Sequence, residues 1–162
     1  MQTNPFQVLT LIVAPAILTN SSSILTLGTS NRFARVVDRS RFLYEKLKDP
    51  EKLPIHEIAL YQQQLPVIGQ RSMLLMHSLT CFYISVGSFA ATAFVSILGA
   101  VVTLLDNHSI SSATMIAALA CGFVGVIGLV VGAFLLVWEM RLALNFLQIE
   151  VKLAEGIQTS LQ

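Results

Sequence analysis

Two long apolar runs constrain this chain more than any other feature. They cover about residues 78–105 and 111–138, and neither contains a Lys, Arg, Asp or Glu. Each is well over 18 residues long, which is the length at which a helix can cross the hydrocarbon core of a membrane. The whole chain is 54% hydrophobic and 12% charged, whereas about a quarter of the residues in a soluble domain are charged. The sequence therefore predicts an all-α membrane protein.

A third apolar segment, about residues 7–28, precedes these runs and continues into a basic segment. As a helix it would be about 33 Å long, which is enough to cross a membrane. The first residues carry no Lys or Arg, so we interpret the segment as an uncleaved span rather than a signal peptide. No residue more disruptive than Gly28 separates it from the amphipathic segment that follows. We expect three transmembrane helices, with the first span continuing into a cytoplasmic amphipathic helix that ends at Asp49-Pro50.

The distribution of positive charge predicts the orientation. All 10 Lys and Arg residues lie in residues 32–71 or after residue 140, and the turn at 106–109 contains none. Because cytoplasmic loops are enriched in Lys and Arg, the N-terminus should lie outside and the C-terminus inside. We expect a single membrane domain over residues 1–162, with a cytoplasmic segment at 29–71 and a cytoplasmic C-terminal tail at 139–162.

Prolines interrupt the cytoplasmic segment before the second span. The residues between Pro54 and Pro66 predict a short helix with Pro54 at its first position. The helix of the second span is expected to start separately, between residues 72 and 83.

Hydroxyl side chains follow one face of the inner half of the first span. They recur every three or four residues, at Thr19, Ser23, Thr26 and Ser30. Such side chains can bond to carbonyls of their own helix, but this face still needs protein or water beside it rather than lipid. These four residues are the candidate pore-lining residues.

Small residues form a seam on the second and third spans. On the third they are Gly122, Gly125, Gly128 and Gly132; on the second they are Ser85, Ser88, Thr92, Ser96, Gly99 and Thr103. Small residues allow two helix backbones to approach closely inside a membrane. The seam fits static packing within or between subunits, and a sliding or gating interface is the alternative.

A basic cluster follows the first span: Arg32, Arg35, Arg39 and Arg41. It sets the membrane orientation, and two further roles are open. The arginines can contact anionic lipid head groups, or they can line the inner mouth of an anion-tolerant pore. Within the same segment, Asp38 can pair with Arg41 or Arg35, and Arg41 with Glu45, at helical neighbour distances.

No pattern predicts catalysis, a metal or a cofactor. The three histidines, His56, His77 and His108, have no Cys, Asp or Glu at ligand spacing. Ser21–Ser23 has no His and acid around it, and a glycine-rich phosphate loop is absent. The three predicted spans contain no acidic residue, which argues against a proton-driven transporter. Cys81 and Cys121 lie at different depths in the spans, so we interpret them as buried hydrophobic residues.

The segment APAILTNSSSILTLGTSNRFARVVDRSR, residues 14–41, resembles the signature of a bacterial inner-membrane family of unknown function. Its members share an early Ala-Pro-Ala segment, a Ser-rich helix, and N-R-x-A-R-V-x-D-R-x-R entering the cytoplasm. The match is carried by Ala14, Pro15, Asn31, Arg32, Ala34, Arg35, Val36, Asp38, Arg39 and Arg41. The resemblance implies a three-span protein of the bacterial cytoplasmic (inner) membrane and supplies no activity.

The leading functional hypothesis is a small homo-oligomeric channel-like or pore-forming membrane protein, with the first span towards the axis. Oligomerisation would satisfy the polar face of this span, which three helices alone cannot do. The alternative is a non-catalytic scaffold that organises lipid or a larger membrane complex. The expected partners are membrane lipid and further copies of the chain, without nucleic acid. The two hypotheses differ in whether the hydroxyl stripe contacts water or protein.

Overall fold

The fold consists of three long helices. A computed structural model describes the backbone of residues 5–48, 54–104 and 108–160, and the side chains of 13–48, 54, 58–102 and 112–145. The helices are α1 (Pro5–Lys48), α2 (Ile55–Leu104) and α3 (His108–Ser160). The all-α fold expected from the sequence is confirmed.

Two of the helices are long and apolar enough to cross a membrane. The stretches are Ile58–Val102 in α2 and Ser112–Asn145 in α3, and only 11% of each apolar window is buried. In a soluble protein the core helix of this hydropathy would be mostly buried, because its apolar side chains need cover from water. Here large side chains such as Leu119 and Phe123 face outward. This exposure favours a membrane protein.

Helix α1 is continuous through Gly28, so the apolar and basic segments form one helix. Among the described side chains, it has no window as apolar as those of α2 and α3. The reason is the run of hydroxyl and amide side chains between Thr19 and Asn31, which lowers its mean hydropathy. A first span through α1, and an amphipathic inner half, therefore stay predictions.

Helix α2 begins earlier than the sequence indicated. It runs unbroken from Ile55 through Pro66, so the break expected at Pro66 is wrong. Proline removes one backbone donor, yet the helix continues through it, with Gln64 buried and Ile68 half-buried on either side. The carbonyl of Pro54 accepts a bond from the Ile58 amide at 3.3 Å, which makes Pro54 the N-cap rather than the first helical residue. The stop at Asp49-Pro50, and residues 106 and 107 of the predicted turn, lie outside the described residues.

The least exposed side chains recur at alternating intervals of three and four residues in every helix. In α1 they are Pro15, Thr19, Ser22, Thr26 and Thr29, continuing to Phe33, Val36, Ser40 and Leu43. In α2 they are Gln64, Ile68, Arg71, Leu75, Ser78, Phe82, Ser85 and Phe89. In α3 they are Ala118, Cys121, Gly125, Gly128, Gly132, Leu135 and Glu139. This repeat of 3.5 residues is the one that lets helices pack side by side along their length.

The chain divides into two compact units, and unit 1 comprises Met1–Thr29 and Leu79–Gly132. Its helices α2 and α3 pack antiparallel at close range. A Cβ built on Gly132 would lie 2.7 Å from the ring of Phe82, and one on Gly128 would lie 2.6 Å from Ser85 Oγ. Only glycine fits at such distances. The remaining core of this unit is built from hydroxyl residues of α1, namely Ser22, Thr26 and Thr29.

Unit 2 comprises Ser30–Ser78 and Ala133–Gln162. Its buried residues include the apolar Leu43 and Leu75, but also the polar Gln64 and the acidic Glu139. Glu139 is only 3% exposed. A buried charge of this kind needs a partner, and the partner defines the site described next.

Candidate functional site

All three helices of unit 2 contribute to one groove of about 490 Å³, which we call the arginine groove. Its lining combines four arginines, one acid and six apolar residues. These are Arg32, Arg35, Arg39 and Arg71; Glu139; and Val36, Ile68, Leu75, Met140, Ala143 and Leu144.

Helix α1 supplies three of the arginines, because Arg32, Arg35 and Arg39 are three and four residues apart and share one face. Arg39 Nη2 lies 3.5 Å from Oε1 of the buried Gln64, and Arg39 Cζ lies 5.6 Å from the centroid of the Phe42 ring. These contacts hold Arg39 against the unit. Arg32 and Arg35 are exposed, and neither forms an ion pair with another described residue.

Helices α2 and α3 are joined by Arg71 and Glu139. Arg71 Nε donates to Glu139 Oε1 at 2.8 Å, and Arg71 Nη2 lies 2.8 Å from the same oxygen. The carboxylate side chain is 4% exposed and the arginine side chain 30%. Since a buried carboxylate is stable only when its charge is compensated, Arg71 is the residue that permits Glu139 to lie here.

The groove therefore carries an excess of positive charge. Four guanidinium groups face one carboxylate, and that carboxylate is already bonded to Arg71. Guanidinium groups bind phosphate and carboxylate oxygens in pairs, so the arrangement is suited to anions. The described lining contains no Ser, Cys, His or Tyr that could act as a nucleophile or a proton carrier. The arrangement can bind and orient a ligand.

Not every residue of the predicted basic cluster lies in the groove. Arg32, Arg35 and Arg39 line it, whereas Arg41 does not and is exposed elsewhere on α1. Asp38 is exposed too, and within the described part of the chain it forms no ion pair with Arg35 or Arg41. The pairing that helical spacing allows is therefore not formed between these side chains. Exposed side chains at helical spacing gain little from pairing, since water solvates both charges.

The four predicted pore-lining residues do not share one environment. Thr26 is buried, Thr19 and Ser30 are half-buried, and Ser23 is exposed. The hydroxyls of Thr19, Ser23 and Thr26 each donate to the carbonyl four residues earlier, at 2.8 Å. These bonds satisfy the hydroxyls inside their own helix.

The buried line on α1 lies beside the predicted stripe, at Ser22, Thr26 and Thr29. Ser22 is fully buried, and its Oγ has no hydrogen-bond partner among the described residues. Thr29 Oγ1, by contrast, donates to the Leu25 carbonyl at 2.7 Å.

The predicted glycine seam comes together with α2. Gly125 faces the ring of Phe89, Gly128 faces Ser85, and Gly132 faces Phe82. Gly122 has more space, since a Cβ there would lie 3.7 Å from Thr92 Oγ1. The side chain of Thr103 lies outside the described residues.

Other candidate chemistry is dispersed. Among the described residues, no three His, Cys, Asp or Glu side chains come together to hold a metal ion. Cys81 and Cys121 are free thiols. A ring nitrogen of His77 lies 2.7 Å from the Met73 carbonyl. The side chains of His56 and His108 lie outside the described part of the chain.

Comparison with known proteins places the chain in a family. A family model described as "Protein of unknown function (DUF2721)" matches residues 12–149. The chain belongs to this family. No curated protein and no solved structure matches it. The membership of DUF2721 confirms the uncharacterised family predicted from residues 14–41, while the exact signature stays a prediction.

Two residues of the arginine groove, Arg71 and Glu139, are not distinguished by any local sequence pattern. In the sequence, Arg71 is the last residue of the predicted cytoplasmic segment and Glu139 is the first residue of the predicted C-terminal tail. A signal existed in the spacing: Glu139 follows Gly125 and Gly132 at intervals of seven residues, so it continues the packed face of α3. An acid at such a position requires a basic partner on a neighbouring helix.

Proposed function

We propose that this chain is a non-catalytic membrane scaffold, a homo-oligomer of three-span subunits that gathers anionic lipid at the inner surface of the bacterial cytoplasmic membrane. The observation that carries the proposal is the arginine groove. Arg32 and Arg35 are exposed cations beside an apolar wall that includes Met140 and Leu144. Basic pockets beside transmembrane helices are typical sites for anionic head groups.

The membrane arrangement in this proposal has spans at about residues 7–28, 78–105 and 111–138, with the N-terminus outside and the C-terminus inside. The charge distribution supports it, because every Lys and Arg falls in the inner segments. Trp138 supports the inner end of the third span, since it is 55% exposed and tryptophan is enriched at membrane interfaces.

The orientation is tested by labelling cells with an impermeant thiol reagent. In a background with Cys81→Ala and Cys121→Ala, we expect Thr3→Cys and Asn107→Cys to react from outside. Leu60→Cys should stay unlabelled in sealed cells and react once the membrane is opened. Labelling of Leu60→Cys in intact cells would overturn the proposed arrangement.

The burial and bonding of the hydroxyl stripe favour the scaffold hypothesis over the pore hypothesis. A pore wall requires side chains that face water, but Thr26 is buried and its hydroxyl bonds to the Ser22 carbonyl. Hydroxyls satisfied in this way allow helices to pack in lipid without any water beside them. The polar face of α1 then serves packing.

A homo-oligomeric pore with the first span towards the axis is the second candidate. It is favoured by Asn20 and Ser23, which are exposed on α1 and lie off its packed face. In a membrane such side chains favour contact with another protein surface or with water. Further copies of the chain, or a larger membrane complex, would supply the protein surface, or would enclose the water.

Lipid retention tests the scaffold. The full chain is purified in mild detergent, and the bound anionic and zwitterionic phospholipids are extracted and quantified. We expect anionic enrichment in the wild type, about a tenfold loss of it in Arg35→Gln, and no loss in Arg41→Gln. Arg41→Gln is the matched control because it removes the same charge from the same helix outside the groove.

Two results would count against this function. If Arg35→Gln and Arg41→Gln retain lipid equally, the groove is not a lipid site. If the purified oligomer conducts in planar bilayers and Ser23→Leu abolishes the current, the pore becomes the better hypothesis.

A further inference from the structure

The arginines of the groove differ in how far their charge is available to a ligand. Arg71 is bonded to Glu139, and two of its five N–H groups point at one carboxylate oxygen. Arg39 is exposed and has no ion pair among the described residues, but its guanidinium contacts Gln64 and the Phe42 ring. Arg32 and Arg35 are exposed, are not ion-paired to any described residue, and have no such contact. These two guanidinium groups are therefore the ones most open to an incoming anion.

Arg32 and Arg35 are close neighbours on α1. They lie three residues apart, so their side chains leave the helix on adjacent turns of the same face, and like charges at this spacing repel. A ligand with one negative charge would neutralise only half of the pair. A ligand with two negative charges, on separate phosphate groups, would give each guanidinium its own pair of oxygens.

The apolar part of the groove lining favours a ligand that has an apolar portion of its own. Met140 and Leu144 are one turn apart on α3, and they are 47% and 58% exposed. Ile68 of α2 continues the apolar surface. A free phosphate would leave this surface uncovered, whereas an acyl chain would cover it.

We propose that the arginine groove selects an anionic phospholipid whose head group carries two phosphate charges. Its phosphates bind Arg32 and Arg35, and one acyl chain lies along Met140 and Leu144. The inference rests on the proposed function, since it names the lipid that the scaffold gathers, and it adds a preference for two charges over one.

The preference is measured with the full chain in phosphatidylcholine nanodiscs. Diphosphatidylglycerol, with two phosphates, is compared with phosphatidylglycerol, with one, at equal total phosphate, and bound lipid is counted by native mass spectrometry. We expect about a tenfold lower Kd per phosphate for the two-phosphate lipid, which corresponds to one additional charged contact.

Matched variants locate the preference in the groove. The double variant Arg32→Gln/Arg35→Gln is expected to bind both lipids equally weakly, and Arg41→Gln is expected to bind like the wild type. Leu144→Gln should weaken both lipids to the same extent, because it changes the apolar wall and leaves the charges. Pyrophosphate, which has two phosphates and no acyl chain, should not displace bound lipid at equal concentration.

The outcomes separate the inference from the proposed function. Equal affinity of the wild type for both lipids, lost in the double arginine variant, overturns the two-charge preference and leaves the scaffold intact. If lipid binding is unchanged in the double arginine variant, both the two-charge preference and the proposed scaffold function are wrong. Displacement by pyrophosphate shows that the ligand is a soluble phosphate compound. Should the double variant fold poorly, the wild-type lipid comparison and the pyrophosphate competition decide by themselves.

Discussion

Units 1 and 2 both bury polar side chains, but they bury different kinds. In unit 1 the buried groups are hydroxyls such as Thr26 and Ser85, which bond to carbonyls of their own helix. In unit 2 the buried polar groups include a charge, Glu139, which bonds to an arginine on another helix. A hydroxyl that bonds to a carbonyl of its own helix leaves a small, uncharged surface for packing. A buried charge that bonds to a residue on another helix links the two helices, so the stability of each depends on the other.

The difference predicts which unit tolerates substitution. Removing a hydroxyl from unit 1 removes a modest bond and leaves no charge behind. Removing one member of the ion pair in unit 2 leaves an uncompensated buried charge, which is far more costly. The units also differ in their capacity to bind a ligand. Among the described residues, only unit 2 has further guanidinium groups without an ion-pair partner.

The largest effect is expected at the ion pair, and it should be asymmetric. Arg71→Met leaves Glu139 charged and 4% exposed, so the free energy of unfolding should fall by about 3 kcal/mol. Glu139→Gln leaves Arg71 unpaired, but its side chain is 30% exposed and can be solvated, so the loss should be nearer 1 kcal/mol. Reversible unfolding in mixed micelles measures both.

The double variant Arg71→Met/Glu139→Leu is the control for this asymmetry. It removes both charges, so it should recover most of the stability lost in Arg71→Met. If the two single variants lose the same stability, burial does not distinguish the two partners, and the buried charge does not set unit 2 apart from unit 1.

The sequence predicted unit 1 better than unit 2, for a physical reason. The packing of Gly128 and Gly132 follows from periodicity within one helix, and this is visible in a short window of residues. Arg71 and Glu139 are 68 residues apart in the chain, and neither is unusual in its own segment. Their pairing depends on how α2 and α3 are aligned, and no local pattern specifies that.

Two differences between the sequence pattern and the structure have local causes. Pro66 lacks a backbone donor and so indicates a helix end, but α2 continues through it. The hydroxyl stripe was placed at Thr19, Ser23, Thr26 and Ser30 by helical spacing alone. The packed face instead follows a repeat of 3.5 residues, which includes Ser22 and omits Ser23.

A smaller effect, with opposite signs at two positions, is expected from glycine substitutions in unit 1. A Cβ at Gly128 would lie 2.6 Å from Ser85 Oγ and 3.1 Å from the Cys81 carbonyl oxygen. Gly128→Ala should therefore lower the free energy of unfolding by about 1–3 kcal/mol. At Gly87 nothing lies within 4 Å, so Gly87→Ala should stabilise the helix by up to about 1 kcal/mol.

The two alanine variants are compared by thermal unfolding in the same detergent. They add the same methyl group to the same unit, so a general effect of helix propensity would shift both melting temperatures upward. If Gly128→Ala stabilises the protein, α2 and α3 do not approach closely at Gly128.

The smallest effect concerns hydroxyls in unit 1, and it bears on whether any water enters there. Ser22 Oγ is buried without a described partner, whereas Ser85 Oγ donates to the Cys81 carbonyl at 2.9 Å. Ser22→Ala should therefore leave the free energy of unfolding unchanged or raise it by up to about 1 kcal/mol, because an unsatisfied buried hydroxyl is removed. Ser85→Ala should lower it by about 0.5–1 kcal/mol through loss of a bond. If Ser22→Ala instead destabilises the protein as much as Ser85→Ala does, the Ser22 hydroxyl has a hydrogen-bond partner, such as a buried water molecule.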